Sequence, residues 1–156
     1  MTVPMNSDLS ARGQAMVSKL NAILREQDFL ARNAVQLIVH SPLVRAQKTC
    51  IGIFGGNNPS DVPIIQHENL YEQNVNGTLG LANMASRIAG VTAWLQQREE
   101  RCICIVGHSA FFRAMVAPAD ARWCNCGVWQ VELRGDGTYA NARLVVEGGE
   151  ALLGGD

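Results

Sequence analysis

The sequence lacks an excess of charge of either sign. Thirteen lysines and arginines stand against fourteen aspartates and glutamates, so the formal net charge of the 156-residue chain is −1. Proteins that bind nucleic acid or anionic membranes carry dense basic patches, which this balance does not predict. Its apolar runs also fall short of the roughly 20 residues that a membrane-spanning helix needs. We therefore expect neither a nucleic-acid partner nor a membrane.

Two further features are missing, a secretory signal and a set of pairable cysteines. Residues 1–8 lack the basic and then apolar pattern of a signal peptide. Five cysteines is an odd number, so a disulfide framework cannot use all of them. Cys124 and Cys126 show a C-x-C spacing, whereas zinc sites use matched C-x2-C pairs. We therefore expect a cytoplasmic protein without a metal site.

What is present is a regular alternation of helical and strand patterns, which predicts an α/β domain with a largely parallel sheet. The predicted strands are short apolar runs at residues 35–39, 62–66 and 101–106, followed by a hairpin of residues 129–133 and 139–146. The predicted helices begin near Ser10, Pro42, Leu81 and Ser109. We expect one domain over residues 1–146, and a glycine-rich, flexible tail over residues 147–156.

Polar clusters follow the three strands that we expect to be parallel. They are His-Ser-Pro-Leu-Val-Arg at residues 40–45, Leu-Tyr-Glu at 70–72 and Gly-His-Ser at 107–109. Ligands of parallel α/β sheets bind beyond the carboxyl ends of the strands. The pattern therefore predicts that Arg45, Glu72 and His108 meet at one edge of the sheet.

These clusters resemble motifs of the histidine phosphatase (phosphoglycerate-mutase-like) superfamily. Residues 41–49 resemble its S-P-L-x-R-A-x-x-T segment, residues 70–80 its L-x-E…G loop, and residues 106–108 its second histidine motif. Asp8 to Gly13 and Asn125 to Val128 resemble two others, in the family's order. The resemblance implies a three-layer α/β/α sandwich of the phosphoglycerate-mutase-like kind, with a mostly parallel sheet.

The resemblance also implies phosphatase or phosphomutase chemistry on phosphomonoesters, without metal or organic cofactor. Arg45 would bind phosphate oxygens with its fork of N–H donors. His108 would stabilise the transferring phosphoryl group, and Glu72 would protonate the leaving group. Ser41 and Ser109 would contribute to substrate binding. The substrate would be a phosphorylated small molecule or a phosphoprotein, and the pattern leaves its identity and the oligomeric state open.

The nucleophile of that family is absent from this sequence. The family begins with a strand that ends in R-H-G, whose histidine attacks phosphorus, but His40, His67 and His108 stand in no such motif. We therefore expect a domain truncated before that strand and inactive as written. The family's strand lies inside the sheet, so its two neighbours should face a gap. Two alternatives stay open: a non-catalytic phosphate-binding or interaction domain (a pseudophosphatase), and an incomplete product of a gene for an active enzyme.

A rival interpretation concerns the Gly-His-Ser-Ala-Phe stretch, residues 107–111. It resembles the G-x-S-x-G nucleophile elbow of α/β-hydrolases, but Phe111 replaces the glycine that the sharp turn needs. That fold also places its catalytic histidine after the serine, and no histidine follows His108. The hydrolase interpretation is therefore disfavoured.

Overall fold

The computed structural model describes residues 7–55, 61–71, 84–116 and 123–154. Its α-helices are α1 (Ala11–Glu26), α2 (Phe29–Arg32), α3 (Val44–Cys50), α4 (Met84–Gln96), α5 (Ser109–Met115) and α6 (Glu150–Leu153). Its strands are β1 (Leu37–His40), β2 (Ile64–Gln66), β3 (Ile103–Val106), β4 (Val128–Leu133) and β5 (Tyr139–Val146). A π-helical turn (Ile51–Gly55) follows α3, and a 3₁₀ turn (Glu68–Leu70) follows β2.

Helix α1 begins where the sequence predicts. The hydroxyl of Ser10 accepts a hydrogen bond of 3.0 Å from the N–H of Gly13, which satisfies one of the donors left open at a helix start. Met16, Leu20 and Leu24 recur along one side of the helix and are buried. This apolar stripe places α1 against the sheet.

Three strands form a parallel sheet in the order β2-β1-β3. The register pairs His40 with both Gln66 and Val106, so the three carboxyl ends are level. Every residue of β1 is buried, as expected for a strand covered on both faces. The prediction of a parallel sheet is confirmed, and the residues that follow β1 and β3 leave the sheet at the same edge.

Helical layers cover both faces of this sheet. Ile38 packs into a core formed with α1, the turn after α3, and α6, whereas Leu37 and Val39 pack into a second core with α4 and α5. Successive side chains of a strand point to opposite faces, which assigns the two cores to the two sides. The three-layer α/β/α sandwich of the phosphoglycerate-mutase-like kind is therefore present.

Strands β4 and β5 form an antiparallel hairpin, which is a separate sheet. Its turn closes as predicted, because the N–H of Arg134 donates to the carbonyl of Thr138 at 2.8 Å and Gly137 adopts a left-handed φ of 87°. Val146 is buried in the core on the α1 side. At the other end, the hydroxyl of Tyr139 hydrogen-bonds the hydroxyl of Thr92 in α4.

The stretch predicted as a flexible tail instead contains α6. Leu152 is buried in the core on the α1 side, and α6 packs on α1. The glycines that suggested flexibility have a packing role: a Cβ on Gly148 would lie 2.4 Å from the carbonyl oxygen of Asn125. The N–H of Gly149 donates to that same oxygen at 2.7 Å. Glycine therefore allows two stretches of backbone to touch there.

Candidate functional site

The carboxyl ends of β1 and β3 bring Ser41 and His108 together. The N–H of Ser41 donates to the carbonyl of Val106 at 3.0 Å, which continues the parallel ladder one residue past β1. Nε2 of His108 lies 2.8 Å from Oγ of Ser41. Ser41 is 0% exposed and His108 is 6% exposed. Two of the predicted site residues thus form a buried polar pair at the predicted edge.

Other hydrogen bonds hold Ser41 in place. Its hydroxyl also accepts from the N–H of Leu43 at 3.2 Å, in the turn that leads into α3. Its carbonyl lies 2.8 Å from Nδ1 of the buried His40. A carbonyl only accepts, so Nδ1 of His40 carries the proton. The sequence analysis assigned no role to His40, which here stabilises the backbone at Ser41.

Arg45 lies in the first turn of α3, four residues after Ser41. This helix packs on β1 and β3, the two strands that deliver Ser41 and His108. Arg45 is half-buried, and its carbonyl accepts a hydrogen bond from the hydroxyl of Thr49 at 2.7 Å. A guanidinium at the start of a helix adds to the positive end of the helix dipole. The edge is therefore suited to an anion.

The remaining predicted site residues differ in how far the structure reaches them. Ser109 is the first residue of α5, directly after His108, and is half-buried. Glu72 lies outside the described residues, as does the rest of its loop, 73–83. The described chain ends at Tyr71, immediately before it.

Arg87 was missed by the sequence analysis, although it is 1% exposed. Its guanidinium donates to the carbonyls of Tyr71 at 2.6 Å and of Asn69 at 3.2 Å. It also lies 5.6 Å from the ring centre of Phe111, in the helix that follows His108. Burial lowers the pKa of Arg87. One buried cation therefore links the segment before Glu72 to the helix after His108; its place inside the apolar stripe of α4, three residues after Met84, was the available signal.

His67 caps the 3₁₀ turn on the same segment. Its Nδ1 accepts from the N–H of Asn69 at 3.1 Å, and its ring meets Trp94 edge-on at 4.7 Å between centroids. Burial lowers the pKa of His67, partly opposed by the charge of Glu68. A neutral imidazole is what an accepting Nδ1 requires. The sequence analysis took His67 for an ordinary loop residue.

The described residues contain no group of three or more histidine, cysteine, aspartate or glutamate side chains able to hold a metal ion. Burial raises the pKa of Cys50 and of Cys104 to about 12 each, so both thiols stay protonated and unreactive at neutral pH. Within the same ranges, no helix has the length and hydropathy to cross a bilayer. The chemistry available at the edge is therefore that of Arg45, Ser41 and His108.

Comparison with known proteins agrees with this architecture. The sequence signature of the histidine phosphatase superfamily (branch 1) matches residues 1–83, which is more than half of the chain. No curated protein sequence matches.

Several solved structures are similar in fold. YhfR of Bacillus stearothermophilus has a TM-score of 0.63 at 18% identity, over 95% of this chain and 88% of that one. A mycobacterial glucosyl-3-phosphoglycerate phosphatase has 0.64 at 16% identity, over 94% and 90%. A phosphoserine phosphatase from Entamoeba histolytica, solved in complex with 3-phosphoglyceric acid, has 0.59 at 15%, over 98% and 90%. At these identities the likeness establishes the fold alone.

Proposed function

Since the chain belongs to the histidine phosphatase superfamily (branch 1), we propose that the sheet edge at Ser41 and His108 binds the phosphate group of a phosphomonoester. The ligand class is a phosphorylated small molecule, in keeping with the 3-phosphoglyceric acid named for the Entamoeba relative. The observation that carries the proposal is the buried pair of Ser41 and His108 beside the start of α3.

Each residue of the edge has a proposed part in binding. Arg45 donates charge-assisted N–H bonds to phosphate oxygens, and a protonated His108 adds a second positive charge. Ser41 is a positioning residue rather than a substrate ligand, because its side chain is fully buried and its hydroxyl bonds His108. Ser109 lies next to His108 and would donate to a phosphate oxygen.

Catalysis is proposed to be incomplete in this sequence. A phosphatase of this superfamily transfers the phosphoryl group to the histidine of R-H-G, and no such motif occurs here. His108 is held by Ser41 and 6% exposed, which suits charge stabilisation better than attack. Glu72 would act as the acid only with a nucleophile present. As written, the chain is therefore a phosphate-binding pseudophosphatase, and a segment carrying R-H-G would make it a phosphatase.

Anion titration tests the binding half of this proposal. Inorganic phosphate and vanadate are titrated into the wild type and into Arg45→Ala, followed by calorimetry or by amide shifts in NMR spectra. Loss of one charge-assisted contact should weaken binding by roughly ten- to a hundred-fold. Arg113→Ala is the matched control, because Arg113 is exposed on α5, and it should bind as the wild type does. Equal binding by wild type and Arg45→Ala, or none by either, would remove Arg45 from the site.

Turnover of a chromogenic phosphate ester tests the catalytic half. We expect none above background, since loss of a catalytic nucleophile costs about a million-fold in an unrelated hydrolase. Steady turnover that disappears in His108→Ala would show that a histidine of this chain replaces the missing nucleophile, and would overturn the pseudophosphatase assignment.

A further inference from the structure

The middle layer of the sandwich is divided into two sheets. Within the described residues, β3 pairs with β1 alone and β4 pairs with β5 alone. Each of these two strands therefore has one edge without a strand partner in the described part of the chain. An edge of this kind offers a row of backbone donors and acceptors to another strand.

The accessibility of β3 comes from its edge. Cys104 and Val106 pack against the core on the α1 side, and Ile103 and Ile105 pack against the core on the α4 side, so both faces are covered. All four residues are nevertheless only half-buried, whereas every residue of the neighbouring β1 is buried. Solvent therefore reaches β3 from the side that lies away from β1.

The backbone direction identifies which groups face that side. The carbonyls of Cys102 and Val106 accept from N–H groups on the β1 side, those of Gln36 and Ser41. Backbone groups alternate along a strand with a period of two. Ile103 and Ile105 therefore direct their N–H and C=O groups away from β1, toward the free edge.

The hairpin stands in the same layer, across from that edge. Val128 packs against the core on the α1 side, and Tyr139 bonds Thr92 of α4 on the other side, so the hairpin reaches both helical layers as the parallel sheet does. Between β3 and β4 lies a space flanked by the same two apolar cores, which we name the strand slot.

Three aromatic rings cross one end of the strand slot. Phe112 covers Gly107 at the end of β3, where a Cβ would come within 2.9 Å of the ring. Trp123 lies 5.5 Å from Phe112, and Trp129 of β4 stacks on Trp123 at 4.9 Å between centroids. Each step is close to the spacing of about 4.8 Å between adjacent strands. The separation of β3 and β4 at this end is therefore about the room that one intervening strand takes.

The two tryptophans also carry unused donors. Nε1 of Trp123 and Nε1 of Trp129 are buried, and neither has a hydrogen-bond partner in the structure. Buried polar groups without a partner are rare in folded proteins. Two such donors at the mouth of a space bordered by free strand edges call for acceptors, which the carbonyls of an added strand supply.

We propose that the strand slot binds one extended peptide segment, apolar on both faces, which pairs with the edges of β3 and β4. The segment must be apolar on both faces because the two flanking cores are apolar, unlike a half-exposed strand, which alternates. Recognition is by strand addition, in which the backbone supplies affinity and the side chains supply specificity. This goes beyond phosphate binding, because it involves neither Arg45 nor a catalytic histidine.

The test uses the full chain and a synthetic strand of about seven residues, alternating valine and isoleucine between terminal lysines. Hydrogen exchange of individual amides is followed by NMR with and without the peptide. Exchange at Ile103 and Ile105 should slow by at least about tenfold, whereas Cys104 and Val106, which face β1, should change little. Trp123 and Trp129 should report the same event by a change in indole N–H shift.

The matched control is the same peptide with a central proline, which cannot complete a ladder of hydrogen bonds and should not protect Ile103 or Ile105. Ile105→Pro removes the outward donor of β3 and should abolish peptide binding; if that variant does not fold, the exchange pattern of the wild type still decides.

Three results would overturn the proposal. They are unchanged exchange at Ile103 and Ile105, equal protection by the proline peptide, and concentration-dependent protection without peptide, which would mean that a second copy fills the slot. Phosphate takes no part in this experiment, so failure of the proposed anion site leaves its outcome unaffected, and the reverse also holds.

Discussion

Nε2 of His108 lies 2.8 Å from Oγ of Ser41, although 67 positions separate the two residues in the sequence. The pair forms because β1 and β3 are adjacent and parallel, so the residues after each strand emerge side by side. The same hydroxyl accepts from the N–H of Leu43 at the entrance to α3. One buried serine thus joins the end of β1, the start of α3 and the histidine after β3.

Replacing Ser41 with alanine should destabilise the protein. Ser41→Ala leaves Nε2 of His108 and the N–H of Leu43 without this partner, and each buried unpaired group costs about 1–3 kcal/mol. The free energy of unfolding from urea titration measures the loss. Ser18→Ala, at an exposed position of α1, should stay within about 0.5 kcal/mol of the wild type. Equal stability of the two variants would contradict the role given to Ser41.

The guanidinium of Arg87 should contribute more than a surface arginine. Arg87→Met keeps much of the volume but loses the bonds to Asn69 and Tyr71, each worth about 1.5–3 kcal/mol for a charged donor. Amide exchange over residues 67–71 should accelerate as well, because α4 no longer holds that segment. Arg113→Met on the exposed side of α5 is the control. An unchanged free energy of unfolding in Arg87→Met would rule out this anchoring role.

His67 should make stability depend on pH in a predictable direction. Burial lowers its pKa below the ordinary value of 6.5, so the unfolded chain binds more protons than the native protein in the window just below 6.5. Its stabilising contribution is therefore complete above 6.5 and is lost as the pH falls toward the native pKa.

Urea titrations of the wild type and of His67→Gln between about pH 7.5 and pH 5 measure this effect. Glutamine keeps an acceptor and does not titrate, so the variant should lose less stability on acidification than the wild type. Parallel pH profiles for the two proteins would show that His67 contributes nothing to the dependence.

Gly148 and Gly135 form a matched pair for a steric test. A Cβ on Gly148 would lie 2.3 Å from the backbone nitrogen of Gly127, whereas a Cβ on Gly135 would meet nothing within 4 Å. Because the obstacle is backbone, Gly148→Ala should cost more than about 2 kcal/mol, and Gly135→Ala should stay within about 0.5 kcal/mol. Melting temperatures of the two variants check this. Similar temperatures would mean that the contact between residues 148 and 127 can relax.

Local patterns were enough to predict most elements. The cap at Ser10, the apolar run before His40 and the turn at Gly137 act over a few residues, so their effect can be read from the sequence. The helix at Leu152 escaped prediction because it is stabilised by a distant neighbour, α1, rather than by its own glycine-rich composition.

What the sequence by itself determined was the α/β class, the order of the elements and the position of Ser41, Arg45 and His108 just after strands. Periodicity and strand–helix alternation are properties of neighbouring residues, which is why they survive in one dimension. Only the tertiary structure decided that Ser41 is buried against His108, that Arg87 bonds the backbone of Tyr71, and that β3 and β4 belong to different sheets. These depend on which groups meet after burial, where the need to pair each buried donor and acceptor acts between residues far apart in the chain.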